Sequence, residues 1–172
     1  MVKFSGVVTL STGEQKDAAS FYSERPVAVV FLRHFGCIFC REQVTELRQH
    51  PDWNVVFVCQ ATPDEVAEFK ATMKAVHPFL CDPDARIYED FGLERGALKQ
   101  LFGPGVWKRG AQAMAKGARP GRTVGDPWRM PGEFIFNTDG VLVWEHRPRH
   151  AGDHSSAETL GKALKAASAS SA

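Results

Sequence analysis

The chain has 172 residues, is 44% hydrophobic, and balances 21 Lys and Arg against 20 Asp and Glu for a formal net charge of +1. That size and apolar content suit one domain whose core needs no disulfide staples, and so even a charge excludes the electrostatic footprint by which nucleic acid or an anionic membrane is recognised. The opening stretch MVKFSGVVTLSTGEQ lacks the apolar core and cleavage pattern of a secretory leader, and no apolar run reaches membrane-spanning length. The expectation is a cytoplasmic protein whose four cysteines stay reduced unless a pair is meant to cycle.

PVAVVFL (26–32) and NVVFVC (54–59) are continuous apolar, β-branched runs, the pattern of strands buried on both faces of a parallel sheet. The spacing between them predicts a crossover helix from about Cys37 to before Pro51, with Cys40, Val44 and Leu47 at i, i+4, i+7 on its inward face. Thr62, Pro63 and Glu65 read as N-cap, N1 and N3 of a next helix carrying Val66, Phe69, Met73 and Val76. Asp82-Pro83 caps a short helix closed near Gly92. From Arg95 to Arg129 the pattern loosens into a basic segment facing a single acid, Asp126, with helical pieces around Leu98 and Trp107 and a loop over 116–126. EFIFN and VLVWEHR, joined by Thr138-Asp139-Gly140, read as a hairpin. A last helix opens on Ser155 and Glu158 as a capping box and turns Leu160, Leu164 and Ala167 inward, leaving a frayed tail at 168–172. Nothing divides the 172 residues into separate domains.

The chemistry concentrates in FLRHFGCIFCREQV (31–44). Cys37 falls where the helix begins, among unpaired N–H groups at the positive end of the dipole, and Cys40 lies one turn inward. A cysteine so placed in a C-x-x-C arrangement has its pKa lowered from about 8.5 to roughly 3.5–7.5, and the second thiol can close a disulfide once the first is oxidised. Gly36 lets the chain turn out of the strand, and Arg33, His34 and Arg41 supply nearby positive charge. Two other readings compete: a pair of small core residues, or a zinc clip completed by Cys59 and Cys81. These last are singletons on separate predicted strand ends rather than a second knuckle, and read better as core.

FLRHFGCIFCREQV, CDPDARIYEDFGL, GDPWRMPGEFIFNTDGVLVWEHR and RHAGDH together resemble the AhpC/TSA type of thioredoxin-fold protein, in its peroxiredoxin-like branch related to selenoprotein U. The resemblance implies an α/β thioredoxin-like fold, a central mixed sheet flanked by helices with a helical and loop insertion before the last hairpin. It also implies redox activity at Cys37 and Cys40, no cofactor, a thiol reductant such as thioredoxin or glutathione, and a small peroxide or disulfide as substrate. The chain departs from the peroxiredoxin pattern P-x-x-x-T-x-x-C: with Cys40 in the last position, Cys37 stands where Thr belongs and Arg33 where Pro belongs. Counting back from Phe134, Pro131 replaces the expected arginine and falls where thioredoxin-like reductases keep a cis-proline. A cis Met130-Pro131 bond packed on the thiols, with Trp128 and Arg129 beside them, is therefore expected from the resemblance.

His34 reads as a hydrogen-bonded structural group ahead of a thiolate-tuning one. His146, His150, Asp153 and His154 match no zinc spacing and read as a solvated loop. The basic segment reads as a solvated face ahead of an anion site, and Trp107 and Trp128 as covers for an apolar pocket or as core. Two functions follow: a thiol-dependent oxidoreductase, or a non-enzymatic redox-sensing or binding module on the same fold. Neither calls for a metal.

Overall fold

The computed structural model describes residues 2–169. Its centre is a five-stranded sheet of β3 (Val27–Phe31), β4 (Val55–Cys59), β5 (Phe79–Cys81), β6 (Gly132–Phe136) and β7 (Leu142–His146), in the order β5-β4-β3-β6-β7. β3, β4 and β5 run parallel, and β6 and β7 are antiparallel to their neighbours. The apolar runs behave as their composition dictates: every residue of β3, β4 and β6 is buried, as strands covered on both faces must be. A short hairpin, β1 (Val7–Thr9) and β2 (Gln15–Asp17), continues into a bridge from Leu10 to Leu80 beside β5. Its few apolar residues carry no periodic signal, and it was not anticipated.

Alternation along the strands divides the core. Ala28, Val30, Phe57 and Ile135 face one side, with α1 (Ile38–Leu47), α2 (Pro63–Met73) and α6 (Ala157–Ala169). Val29, Phe31, Val56 and Phe134 face the other, with α3 (Arg86–Asp90) and the N-terminal segment. Cys40, Val44 and Leu47 are buried, as the i, i+4, i+7 spacing predicts. The Thr62–Glu65 capping box is present, but α2 ends at Met73 with Lys74 in the left-handed region (φ 51°), so Val76 lies beyond the helix and is exposed. Asp82 caps α3 by accepting from the N–H groups of Arg86, Ile87 and Tyr88.

The insertion folds as α4 (Leu98–Phe102) and α5 (Pro104–Ala115). α6 starts one residue later than expected: the Ser156 hydroxyl, not that of Ser155, accepts from the Thr159 N–H, and Glu158 pairs instead with Lys162 at 2.6 Å. Ser168 and Ala169 belong to this helix; the rest of the expected frayed tail lies outside the described residues. No helix among the described residues is long and apolar enough to cross a membrane.

Candidate active site

Strand β3 ends under the cysteine pair, and a buried tyrosine braces that end. The Tyr88 hydroxyl shares its proton between the carbonyls of Leu32 and Val58, tying the C-terminal ends of β3 and β4 together. The next backbone N–H, that of Arg33, donates to Cys40 Sγ at 3.2 Å. Gly36 is required here for a different reason from the expected turn. A Cβ at Gly36 would lie 2.6 Å from the Gly121 carbonyl oxygen, and the Gly121 N–H donates back to Gly36 O at 3.2 Å. The loop after α5 is thereby laid against the strand-to-helix junction.

Cys37 is the N-cap of α1, and both it and Cys40 are buried free thiols, not joined to each other. As a neutral thiol Cys37 makes no capping hydrogen bond. Ionised, its sulfur has donors in place. The Cys40 S–H is the strongest influence, and with the N–H groups of Cys40 and Phe39 and the Arg33 charge it outweighs burial and brings Cys37 down to about 6. Cys40 moves the other way, well above 9, because it is the donor in that pair and is buried. Two adjacent thiols are thus split into a thiolate near neutral pH and a protonated partner.

Arg33 is held by its Nε–H donating to the Pro127 carbonyl at 2.7 Å. His34 is kept neutral at pH 7, brought down to about 4 by burial and then by the Arg33 charge. Its Nδ1 is buried and has no protein partner, so the expected structural hydrogen bond is not present at that atom. Cys37, Arg33 and His34 border a groove of about 460 Å³ whose other walls include Phe39, Leu101, Val106, Trp107 and Met114. The groove is walled mainly by α4 and α5, which also present Phe102, Trp107 and Met114 more than half exposed. Trp128 joins it indirectly, edge-on to Phe102 at 6.0 Å between ring centres.

The remaining expected residues are not among those lining the groove. Arg41 turns toward α2, with its guanidinium 5.8 Å from the centre of the Phe69 ring. Arg129 donates to the Leu93 carbonyl at 3.0 Å and lies 6.0 Å from the Tyr88 ring, on the sheet face opposite the cysteines. The Met130-Pro131 bond is trans, since the described residues contain no cis peptide. Pro131 borders a separate depression with Leu93, Gly96 and Arg147. The Met130 N–H donates to Glu94 O at 3.1 Å, and the trans form is the one an X-Pro bond prefers by about 0.5–1 kcal/mol. The argument for disulfide chemistry that rested on a cis-proline falls with it.

The site also depends on a residue that sequence reasoning missed. Glu42, on α1, is 3% exposed and takes Arg109 of α5 in a two-point ion pair (2.7 and 3.3 Å), with Lys116 at 3.3 Å and His154 at 3.7 Å. Glu42 lies off the face of α1 that Cys40, Val44 and Leu47 share and is covered by α5 instead, so its spacing gave no signal. The basic segment is partly paired, Arg95 with Asp126 at 2.9 Å and Lys116 also with Glu46 at 3.3 Å, while Arg95, Lys108, Lys116, Arg119 and Arg122 are exposed, as a solvated face requires. His154 is buried rather than solvated, His146 bonds the Asp153 carbonyl at 2.6 Å, and no cluster of three metal-ligating groups occurs among the described residues.

A thiol at the head of a helix, following the central strand of a mixed sheet, is the arrangement of thioredoxin-fold redox proteins. Residues 41–150 match the family described as AhpC/TSA antioxidant enzyme, and the chain belongs to that family. The matched span begins just after Cys40, so the cysteine pair lies outside it. The chain is 25% identical over 161 residues to peroxiredoxin-like 2C of Mus musculus, covering 84% of this chain and 70% of that protein. It is 27% identical over 163 residues to a prostamide/prostaglandin F synthase of Salmo salar, covering 89% and 81%. In structure it resembles the bacterioferritin comigratory protein of Xanthomonas campestris, with a TM-score of 0.67 at 13% identity over 99% of this chain and 95% of that one. It also resembles a secreted disulfide oxidoreductase of Mycobacterium tuberculosis, with a TM-score of 0.60 at 17% identity over 95% and 96%. These structures share the thioredoxin-type fold, and the relatives place the chain among redox proteins.

Proposed function

We propose that the protein is a thiol-dependent oxidoreductase that reduces a peroxide carrying an apolar group, with Cys37 as nucleophile and Cys40 as resolving thiol. The observation that carries this is the split pair: Cys37 is lowered to about 6 while its neighbour is pushed well above 9, and Cys37 borders an apolar groove. The Cys37 thiolate attacks the nearer peroxide oxygen and breaks the O–O bond. An alcohol leaves after taking a proton, and a sulfenic acid remains on Cys37. The Cys40 sulfur then attacks the Cys37 sulfur, water leaves, and a disulfide forms that two equivalents of an external thiol, of the thioredoxin or glutathione class, reduce again. Arg33 supports the thiolate and has guanidinium N–H groups beyond its Pro127 bond to offer a peroxide oxygen.

Apolar walls and exposed Trp107 favour a substrate with a hydrocarbon body over hydrogen peroxide, and the names of the synthase relatives are in keeping with a lipid-like one. The test is steady-state turnover with excess thiol reductant on cumene hydroperoxide, hydrogen peroxide and a protein disulfide. Cys37→Ser should fall to background on all of them. Trp107→Ala should raise KM for cumene hydroperoxide about 5–10-fold, the equivalent of losing some 1–1.4 kcal/mol of apolar contact, and leave hydrogen peroxide unaffected. A single stoichiometric oxidation without turnover would establish the redox-sensing alternative, and preference for the protein disulfide would replace the peroxide reading.

A further inference from the structure

A second pair of thiols lies outside this site, in residues that look unrelated in the sequence. Cys59 ends β4 and Cys81 ends β5, and the parallel register makes them direct partners across the two strands. Neighbouring strands lie about 4.7–4.9 Å apart, within the roughly 4.4–6.8 Å between Cα atoms that a disulfide spans. Register partners point to the same side, and both cysteines belong to the core face that holds Phe57 and Phe79. The backbone around them is tied: Phe57 N–H donates to Pro78 O at 3.0 Å and Asp82 N–H to Cys59 O at 2.8 Å, one on each side of the pair. Bringing the sulfurs together then needs side-chain rotation and no movement of the strands.

Both thiols are free. Cys59 S–H donates to the Leu80 carbonyl at 3.3 Å, and turned toward Cys81 it draws that thiol below its ordinary value against the opposing effects of burial and of Glu65. Burial first, and then Cys81, pushes Cys59 up. Cys81 is also the nearer to solvent, at 7% exposure against 2% for Cys59, and borders a depression of about 450 Å³ beside the N-terminal hairpin. Among the described residues a metal clip lacks a third ligand.

We propose that Cys59 and Cys81 form a second redox-active dithiol, which closes to a cross-strand disulfide when a small peroxide oxidises Cys81. The Cys81 thiolate attacks hydrogen peroxide, breaking the O–O bond; hydroxide leaves as water after protonation, and Cys81 becomes a sulfenic acid. Cys59 then attacks the Cys81 sulfur, its proton leaving with the hydroxyl as a second water. Two thiols and one peroxide thus give one disulfide and two waters. The step uses neither Cys37 nor Cys40, so it stands or falls apart from the proposed catalytic pair.

The test uses the full chain with Cys37→Ser and Cys40→Ser, which leaves Cys59 and Cys81 as its cysteines. Folded protein is treated with hydrogen peroxide, blocked with iodoacetamide during unfolding, and digested with trypsin without reductant. The expected result is a linked pair of peptides, 49–70 and 75–86, lighter by two hydrogens than their sum and separated by reductant, with free thiols falling to near zero. Both cysteines fully alkylated after treatment, a sulfinic acid on Cys81 with Cys59 free, or a link only between chains would overturn the proposal. Should the double variant fail to fold, the wild-type chain gives the same readout, because Cys37 and Cys40 share the separate peptide 34–41.

Discussion

At Cys37, a low pKa is built largely by one neighbour. The Cys40 S–H is the largest of the influences that lower it, ahead of the backbone N–H groups and the Arg33 charge. Removing that donor as Cys40→Ala should move the midpoint of the Cys37 thiolate absorbance upward from about 6 toward its ordinary value, and slow alkylation at pH 6.5 in proportion to the lost thiolate. An unmoved midpoint would assign the activation to the helix terminus and Arg33 alone. The C-x-x-C spacing made this residue legible, since one helical turn brings the second thiol beside the first. The cis bond expected at Pro131 came from the family resemblance in its spacing to Phe134, and the bond is trans.

The helices around the site differ in what holds them. α1 is fixed by burying Cys40, Val44 and Leu47, whereas α5 buries only Ala113 fully and is held to α1 by Arg109 on Glu42. With Glu42 almost enclosed and Arg109 22% exposed at its side chain, truncating the acid leaves a cation that can still reach water. The cost falls below the 3–5 kcal/mol of a fully buried broken pair. Glu42→Ala should therefore lose about 2 kcal/mol by chemical denaturation, with faster amide exchange confined to Pro104–Ala115 while β3 and β4 keep their protection. Loss of protection across the sheet would show that α5 and the core unfold as one unit. The amphipathic spacing of α5 could be read in the sequence, but its partner could not, because Glu42 and Arg109 meet only through the tertiary fold.

For the whole molecule, two buried imidazoles set an acid limit. His34 and His154 are each brought down to about 4, chiefly by burial; Arg33 adds to this at His34, and Arg109 and Lys116 at His154, where Glu42 opposes it. In the unfolded chain both would titrate near 6.5. Between about 4 and 6.5 the unfolded state therefore binds more protons, and stability falls as pH is lowered through that window. Glu133 and Asp82, pushed up by burial, act in the opposite sense. Replacing His154 with Gln should shrink the drop in Tm between pH 6.5 and 4 by about 5 °C, measured by scanning calorimetry on the reduced protein. An unchanged pH profile would mean that His154 stays neutral for reasons it retains when unfolded.

What the sequence determined by itself was local and periodic. Continuous apolar runs required buried parallel strands, the i, i+4, i+7 spacing fixed the inward face of α1, Thr62 and Glu65 capped α2, and two cysteines one turn apart at a helix head marked the candidate site. Each of these depends on residues close in the chain, where backbone geometry alone sets which side chains meet. The tertiary structure decided the rest. It placed Glu42 under Arg109, set Gly36 against Gly121, aligned Cys59 with Cys81 across two strands, kept the Met130-Pro131 bond trans, and turned Arg41 and Arg129 to other partners. Those outcomes depend on strand register and on how the insertion docks, and both are settled by the packing of the whole core rather than by any short stretch of sequence.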